Sequence, residues 1–342
     1  MRILYLRRGA VFPELYAGTG LAMHGLLQML KARGHEVATA AVGPRLAPGQ
    51  GRTDRDNGYP TVRAPYAAFQ DMAAQMVARW RPQVLVATQA GPWLEQLLAR
   101  TGPMPVVVYE HEITKPVYGP GREARTRMRY VANSELTAQH LREIYGLKAV
   151  VAPPLFGIEQ YAGVRAQGDK VLFVSLQMRK GADVAVRIAQ SRPETSFVFC
   201  ETWSTEPVGT PRLREVVGRT RNITLLPNQP GLAAIFAQTR LLLMPSRSQE
   251  AWGRTATEAQ LCGIPVLGSS RGSLPRTIGA GGVTLEPNAP LAVWLEAFDR
   301  MMGEGHAELS ALALAQGQAM LAEVERSYLA VEQALGEAAA LA

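Results

Sequence analysis

The sequence predicts an α/β protein built as two Rossmann-like, doubly wound parallel-sheet domains. Strand-like and helix-like segments alternate along most of the chain, as in βαβ units with right-handed crossovers. The alternation breaks at Pro153-Pro154 and a polar stretch to Gly168, then begins again; paired prolines end regular structure. A length of 342 residues suits two domains of about 150 to 180 residues. The expected division is 1–157, 158–325, and a final helix over 326–342.

The first strand is 3–6, and Gly18 and Gly20 lie in the loop after it. Helical spacing covers 21–31, and Gly34 stands where glycine caps a helix. A strand follows at 36–42. Residues 44–61, rich in Gly, Pro, Arg and Asp, read as a loop. Short strands are expected at 83–88, 106–109 and 130–133, then a helix at 136–144 capped by Ser134. A strand at 149–152 closes the first half. The second series has strands at 171–175, 197–200, 223–226, 241–244, 265–268 and 283–285. Beyond Trp294 the chain is helical and rich in alanine.

Hydrophobic residues make up 47% of the chain, enough for two cores. The N-terminus lacks the layout of a signal peptide, and no run of about 20 apolar residues exists to span a membrane. Cys200 and Cys262 read as reduced core thiols of a cytoplasmic protein. The net charge is +7, mostly from arginine. Without interleaved aromatics this basicity does not point to nucleic acid. It suits phosphorylated substrates, or peripheral contact with the inner membrane face.

Ligands of parallel sheets bind at the carboxyl ends of strands, which directs attention to residues 241–268. A buried strand ends at Pro245, and Glu250 follows in the loop. Gly253 permits a sharp turn or close ligand approach. A helix is expected from Arg254 to Leu261, with Gly263 as its stop. Amides near Thr255 and Ala256 form an anion site at its N-terminus. Glu258, about one turn in, is placed to accept two ribose hydroxyls, and Glu250 to accept hydroxyls beyond the phosphate. The eight-residue spacing means nothing alone, since Glu135/Glu143 and Glu296/Glu304 share it. Its setting within one ordered block gives it weight.

That block resembles the family 4 glycosyltransferases, retaining enzymes of the two-domain GT-B fold whose domains face an interdomain cleft. Glu250-Ala251-Trp252-Gly253-Arg254-Thr255-Ala256-Thr257-Glu258 is similar to their E-x7-E signature. Gly34-His35-Glu36-Val37, Ala132-Asn133-Ser134 and Val151-Ala152-Pro153-Pro154 resemble further landmarks. The resemblance implies a nucleotide-diphosphate sugar as co-substrate, UDP- or GDP-linked, with no cofactor and no metal. It implies transfer to a hydroxyl acceptor, with Glu250 on the donor sugar, Glu258 on the ribose, the amides near Thr255 and Ala256 on the diphosphate, and Ala251, Trp252, Gly253 and Arg254 also binding the donor.

Lys180, before Gly181 at a strand-to-helix turn, is a point charge aimed at phosphate. In the resembled family a Lys-Gly here stabilises the leaving diphosphate. The family's arginine five residues earlier is replaced by Ser175, and Arg179 stands in as the expected substitute. The family's Gly-Gly pair falls on Ala17-Gly18, and Arg276 stands where glutamate is usual. His111, at the end of the strand 106–109, is the expected catalytic histidine, with Glu112 as an acceptor-side group. Arg122 and Arg125 recur at helical spacing, fit to grip an anionic acceptor or headgroups.

Competing readings remain. A nicotinamide loop at Gly18-Thr19-Gly20 fails on Met23, where a third glycine belongs. Asp54-Arg55-Asp56 resembles the metal motif of another glycosyltransferase fold, but with no strand leading into it reads as surface charge. A GT-B phosphorylase or epimerase, or a non-catalytic nucleotide-sugar binder, stays open.

Overall fold

In the computed structural model all residues are described except 15, 89, 114–126, 202–209, 230 and 342. The chain forms two compact units. One contains Met1–Leu15, Thr19–Gly157 and Val324–Ala342; the other contains Tyr16–Gly18 and Ile158–Glu323.

The first unit is an eight-stranded sheet of β1 (Arg2–Arg7), β2 (Glu36–Val42), β3 (Arg52–Asp54), β4 (Thr61–Ala64), β5 (Val84–Ala87), β6 (Val106–Glu110), β7 (Met128–Ala132) and β8 (Ala149–Val151). Their order is β3-β4-β2-β1-β5-β6-β7-β8. The pairs are parallel except β3–β4. One face buries Ile3, Tyr5, Val107 and Tyr109; the other buries Leu4, Leu6, Val106 and Val108. Burial on both faces explains why these strands read as continuous apolar runs. The helix Val324–Ala339 returns to this unit and packs Tyr328, Val331 and Leu335 on the first face. Ser134 caps the helix Glu135–Tyr145, its Oγ accepting from the Thr137 amide at 3.1 Å.

Three expectations change here. The first helix is Gly18–Ala32, so Gly18 and Gly20 sit in its opening turn and not in a loop. An opening turn leaves its N–H groups without intrahelical acceptors. Residues 44–61, expected as loop, contain β3 and lead into β4. The hairpin is short and at the sheet edge, so no apolar period announces it. Charge holds it instead. Arg63, only 1% exposed, pairs with Asp54 and donates Nε to Glu14 at 2.7 Å. Asp54 is therefore the end of a strand and half of an inward ion pair, not free surface charge.

The second unit is a wholly parallel sheet of β9 (Lys170–Val174), β10 (Phe197–Cys200), β11 (Ile223–Leu226), β12 (Thr239–Met244), β13 (Val266–Ser269) and β14 (Gly282–Leu285). Its order is β11-β10-β9-β12-β13-β14, so chain order reverses between β9 and β12. Cys200 and Cys262 are free and buried, and burial pushes their thiols up to about 11 and about 12. No helix among the described residues is long and apolar enough to cross a membrane.

Candidate functional site

The switch point of a doubly wound sheet is where its ligand crevice opens. In the second unit the chain leaves β9 through Ser175, a non-glycine residue held at φ +85°. It then makes a turn of 3-10 helix at Met178–Lys180 and enters the helix Ala182–Ser191. Leaving β12, it crosses a loop to Gly253 and enters the helix Arg254–Leu261, as the spacing predicts.

Backbone contacts stitch the two loops together. The Arg179 carbonyl accepts from the amides of Arg247 at 2.9 Å and Ser248 at 3.1 Å. Arg247 forks onto Asp183 through Nη1 at 2.5 Å and Nη2 at 2.7 Å. Burial would raise the Asp183 carboxyl, but the Arg247 bonds outweigh it and hold it below the usual range. Gly181, at φ +79°, passes so near Pro245 that a Cβ would lie 2.0 Å from its carbonyl oxygen.

This stitching brings Lys180 to Glu250. Lys180 Nζ donates to Glu250 Oε1 at 2.5 Å, and Ser246 Oγ donates to the same oxygen at 2.7 Å. The backbone of Glu250 is braced from the loop after β13, where the Ser273 amide donates to its carbonyl at 2.8 Å. Arg179 itself is exposed, and its carbonyl is the part bound to the β12 loop.

Glu258 is placed differently from Glu250. It is 3% exposed and accepts from Arg254 Nε at 2.6 Å. Burial raises its carboxyl, while the charge and hydrogen bond of Arg254 oppose the rise. The residues between Glu250 and Glu258 have these surroundings. Trp252 is buried, with Nε1 donating to Thr257 Oγ1 at 3.2 Å, so its ring belongs to the core. The Ala256 amide donates to the Gly253 carbonyl at 2.9 Å. Ala251 gives its carbonyl to Ser273 Oγ at 2.9 Å. Gly253 turns at φ +93°. Gly18 groups with this unit, where a Cβ on it would come 4.0 Å from Arg254 Cδ.

In the first unit His111 lies just beyond β6, 7% exposed. Its ring meets Tyr109 with centroids 4.2 Å apart, and its carbonyl accepts from Asn133 Nδ2 at 3.2 Å. Glu112 is half-buried beside it. Glu110, which no sequence signal singles out, is 2% exposed. Burial pushes its carboxyl up to about 7, opposed by the Ala90 amide, raised further by Glu112 and lowered by Arg7. Arg122 and Arg125 lie outside the described residues. Among the described residues no group of three or more His, Cys, Asp and Glu side chains gathers to hold a metal ion.

Known proteins resemble both halves. Residues 16–155 match the model of Glycosyltransferase Family 4, and residues 165–302 match that of Glycosyl transferases group 1. A D-inositol 3-phosphate glycosyltransferase of Mycobacterium leprae is 33% identical over 148 residues, covering 41% of this chain and 34% of the relative. The match thus spans about a third of that relative's length. A sucrose-phosphate synthase from Thermosynechococcus elongatus has a TM-score of 0.76 at 16% identity, covering 100% of both chains. Anabaena Alr3699/HepE in complex with UDP-glucose has a TM-score of 0.74 at 15% identity, covering 97% of this chain and 100% of its own. These last two are likenesses of fold.

Proposed function

The chain belongs to the GT4-type glycosyltransferases of GT-B fold, and on that premise we propose that it moves a sugar from a nucleotide-diphosphate sugar to an acceptor hydroxyl, with retention and without a metal ion. The observation behind this reading is the Lys180–Glu250 pair at the switch point of the second sheet. Lys180 would neutralise the departing diphosphate, with the Thr255 amide and Arg179 beside it. Cations and preorganised amides aimed at developing charge lower the barrier without metal chemistry. Glu250 has one oxygen occupied by Lys180 and Ser246, which leaves the second to take sugar hydroxyls. Glu258 is assigned to the ribose, and His111 with Glu112 to catalysis on the acceptor side. A uridine diphosphate sugar heads the expected donors, supported by the UDP-glucose bound to Alr3699/HepE.

The test is a panel of UDP-, GDP- and ADP-sugars scored by thermal shift and by nucleotide release, with and without EDTA. One donor should stabilise the protein and turn over equally with chelator present. NMR of the product should show the donor's anomeric configuration. Absence of binding by every nucleotide sugar would sink the reading, and loss of turnover in EDTA would sink its metal-independent form.

A further inference from the structure

Three loops leave the carboxyl ends of β9, β12 and β13 in the second sheet, and the donor reading uses only the first two. The loop after β9 carries Lys180 and the loop after β12 carries Glu250; β13 runs into Ser270-Arg271-Gly272-Ser273. This third loop lies along the backbone of the second. The Ser273 amide donates to the Glu250 carbonyl at 2.8 Å, and Ser273 Oγ donates to the Ala251 carbonyl at 2.9 Å. A Cβ on Gly272 would lie 2.2 Å from the Glu250 carbonyl oxygen, so the two backbones touch at that point. Arg271, one residue earlier, is therefore fixed beside the residue assigned to the donor sugar.

Charge singles Arg271 out. Lys180 is neutralised by Glu250, Arg247 by Asp183 and Arg254 by Glu258. Among the described residues no carboxylate lies within ion-pair distance of Arg271, which is half-buried, and its Nε is buried with no hydrogen-bond partner. Glu286, beyond β14, accepts from Ser270 Oγ at 2.8 Å instead. A buried guanidinium donor left unmatched is costly. The partners that suit its planar fork are oxyanions.

Strand order says which anion. Lys180, assigned to the diphosphate, follows β9; Glu250, assigned to the sugar hydroxyls, follows β12; Arg271 follows β13. Neighbouring strands lie about 4.8 Å apart. By that order Arg271 stands two strand spacings from the Lys180 loop, with Glu250 between them. A hexose ring with its exocyclic carbon spans such a stretch when its phosphate end is at Lys180. A carboxylate on that carbon would be repelled by Glu250 without a cation beside it, and Arg271 supplies the cation. A neutral sugar would leave Arg271 unmatched.

We propose that Arg271 is a specificity-determining residue of the donor site, and that it selects a nucleotide-diphosphate hexuronic acid by pairing with the exocyclic carboxylate. This rests on the glycosyltransferase reading and names the class of sugar transferred.

The test is calorimetry on the full chain with matched acid and neutral donors. UDP-glucuronic and UDP-galacturonic acids are compared with UDP-glucose and UDP-galactose, and GDP-mannuronic acid with GDP-mannose. UDP and GDP alone report the nucleotide. At least one acid should bind about tenfold or more tightly than its neutral partner. Arg271→Gln should abolish that preference, weakening the acid about tenfold or more with little change for the neutral donor or the free nucleotide. Arg271→Lys should keep part of the preference, because the charge remains and the fork is lost. A general loss of fold would weaken every ligand together. Equal affinity of the parent protein for acid and neutral sugars overturns the proposal without any variant. A preference that survives in Arg271→Gln also overturns it. So does a folded Arg271→Gln protein that loses free nucleotide as strongly as acid donor, because the guanidinium then serves the diphosphate. Failure of the glycosyltransferase reading looks different: neither nucleotide binds, with any sugar or with none, and the proposal falls with it.

Discussion

Lys180 Nζ and Glu250 Oε1 meet at 2.5 Å across seventy positions of sequence, at the one place in the second sheet where chain order reverses. Each side chain depends on the other for its position. Lys180→Met would leave Glu250 held by Ser246 alone, and Glu250→Gln would free the lysine to swing. We expect each substitution to lower kcat/KM for transfer about a hundredfold. The double variant should lose much less than the product of the two, because residues that act as a unit are not additive. Strict multiplication of the two losses in steady-state kinetics would show that the pair does not function together.

Gly272 sets the path of the Glu250 loop through close backbone approach. It turns at φ +64°, and a Cβ there would lie 2.2 Å from the Glu250 carbonyl oxygen and 2.5 Å from its amide nitrogen. Gly272→Ala therefore combines backbone strain with a collision that only a shift of Glu250 relieves. The variant should lose about 2 kcal/mol of stability. Its loss of transfer should approach that of Glu250→Gln. Wild-type kinetics in a folded Gly272→Ala protein would mean that the loop moves without consequence.

Glu258 requires a different substitution from Glu250. Its partner Arg254 is equally buried, with side chains 4% and 6% exposed. Removing one member of a buried pair strands the other charge, at a cost of about 3 kcal/mol or more. Glu258→Ala should thus lower the unfolding midpoint in urea sharply, whether or not the residue binds ribose. Glu258→Gln keeps the acceptor oxygen for Arg254 Nε and is the fairer probe. If Glu258 holds the ribose, the glutamine variant should weaken binding of UDP more than binding of pyrophosphate. Equal effects on the two ligands would remove the ribose assignment.

The apolar runs of the sequence marked nearly every strand, because strands buried on both faces are apolar throughout. Glycines at 253 and 263 bounded the Arg254–Leu261 helix for a similarly local reason. The β3–β4 hairpin escaped notice because Arg63, Asp54 and Glu14 hold it by charge, and charge has no period. Within the site, the order of Glu250, Gly253 and Glu258 was readable, but their environments were not. Nothing local says that Trp252 turns into the core, that the Ala256 amide closes on Gly253, or that Glu258 is buried against Arg254. Those facts depend on what the fold brings from elsewhere, as does the meeting of Arg7 with Thr88. Arg7 had one legible signal, its place at the end of the first strand.

Glu110 should make stability depend on pH near neutrality. Burial pushes its carboxyl up to about 7; the Ala90 amide and Arg7 pull it down, and Glu112 pushes it up. An acid whose pKa is higher in the folded state binds its proton more tightly when folded. Its contribution is whole below the unfolded pKa of about 4.3, declines as pH rises, and is gone once pH passes the folded value near 7. The full span is worth about 4 kcal/mol at most. Glu110→Gln keeps an oxygen for the Ala90 amide and cannot ionise. Its stability relative to the parent should therefore rise between about pH 5 and about pH 7 and level off above. Urea unfolding of both proteins across that range measures the difference directly. A difference that stays flat would mean that Glu110 is ionised throughout, with Arg7 as its counter-ion.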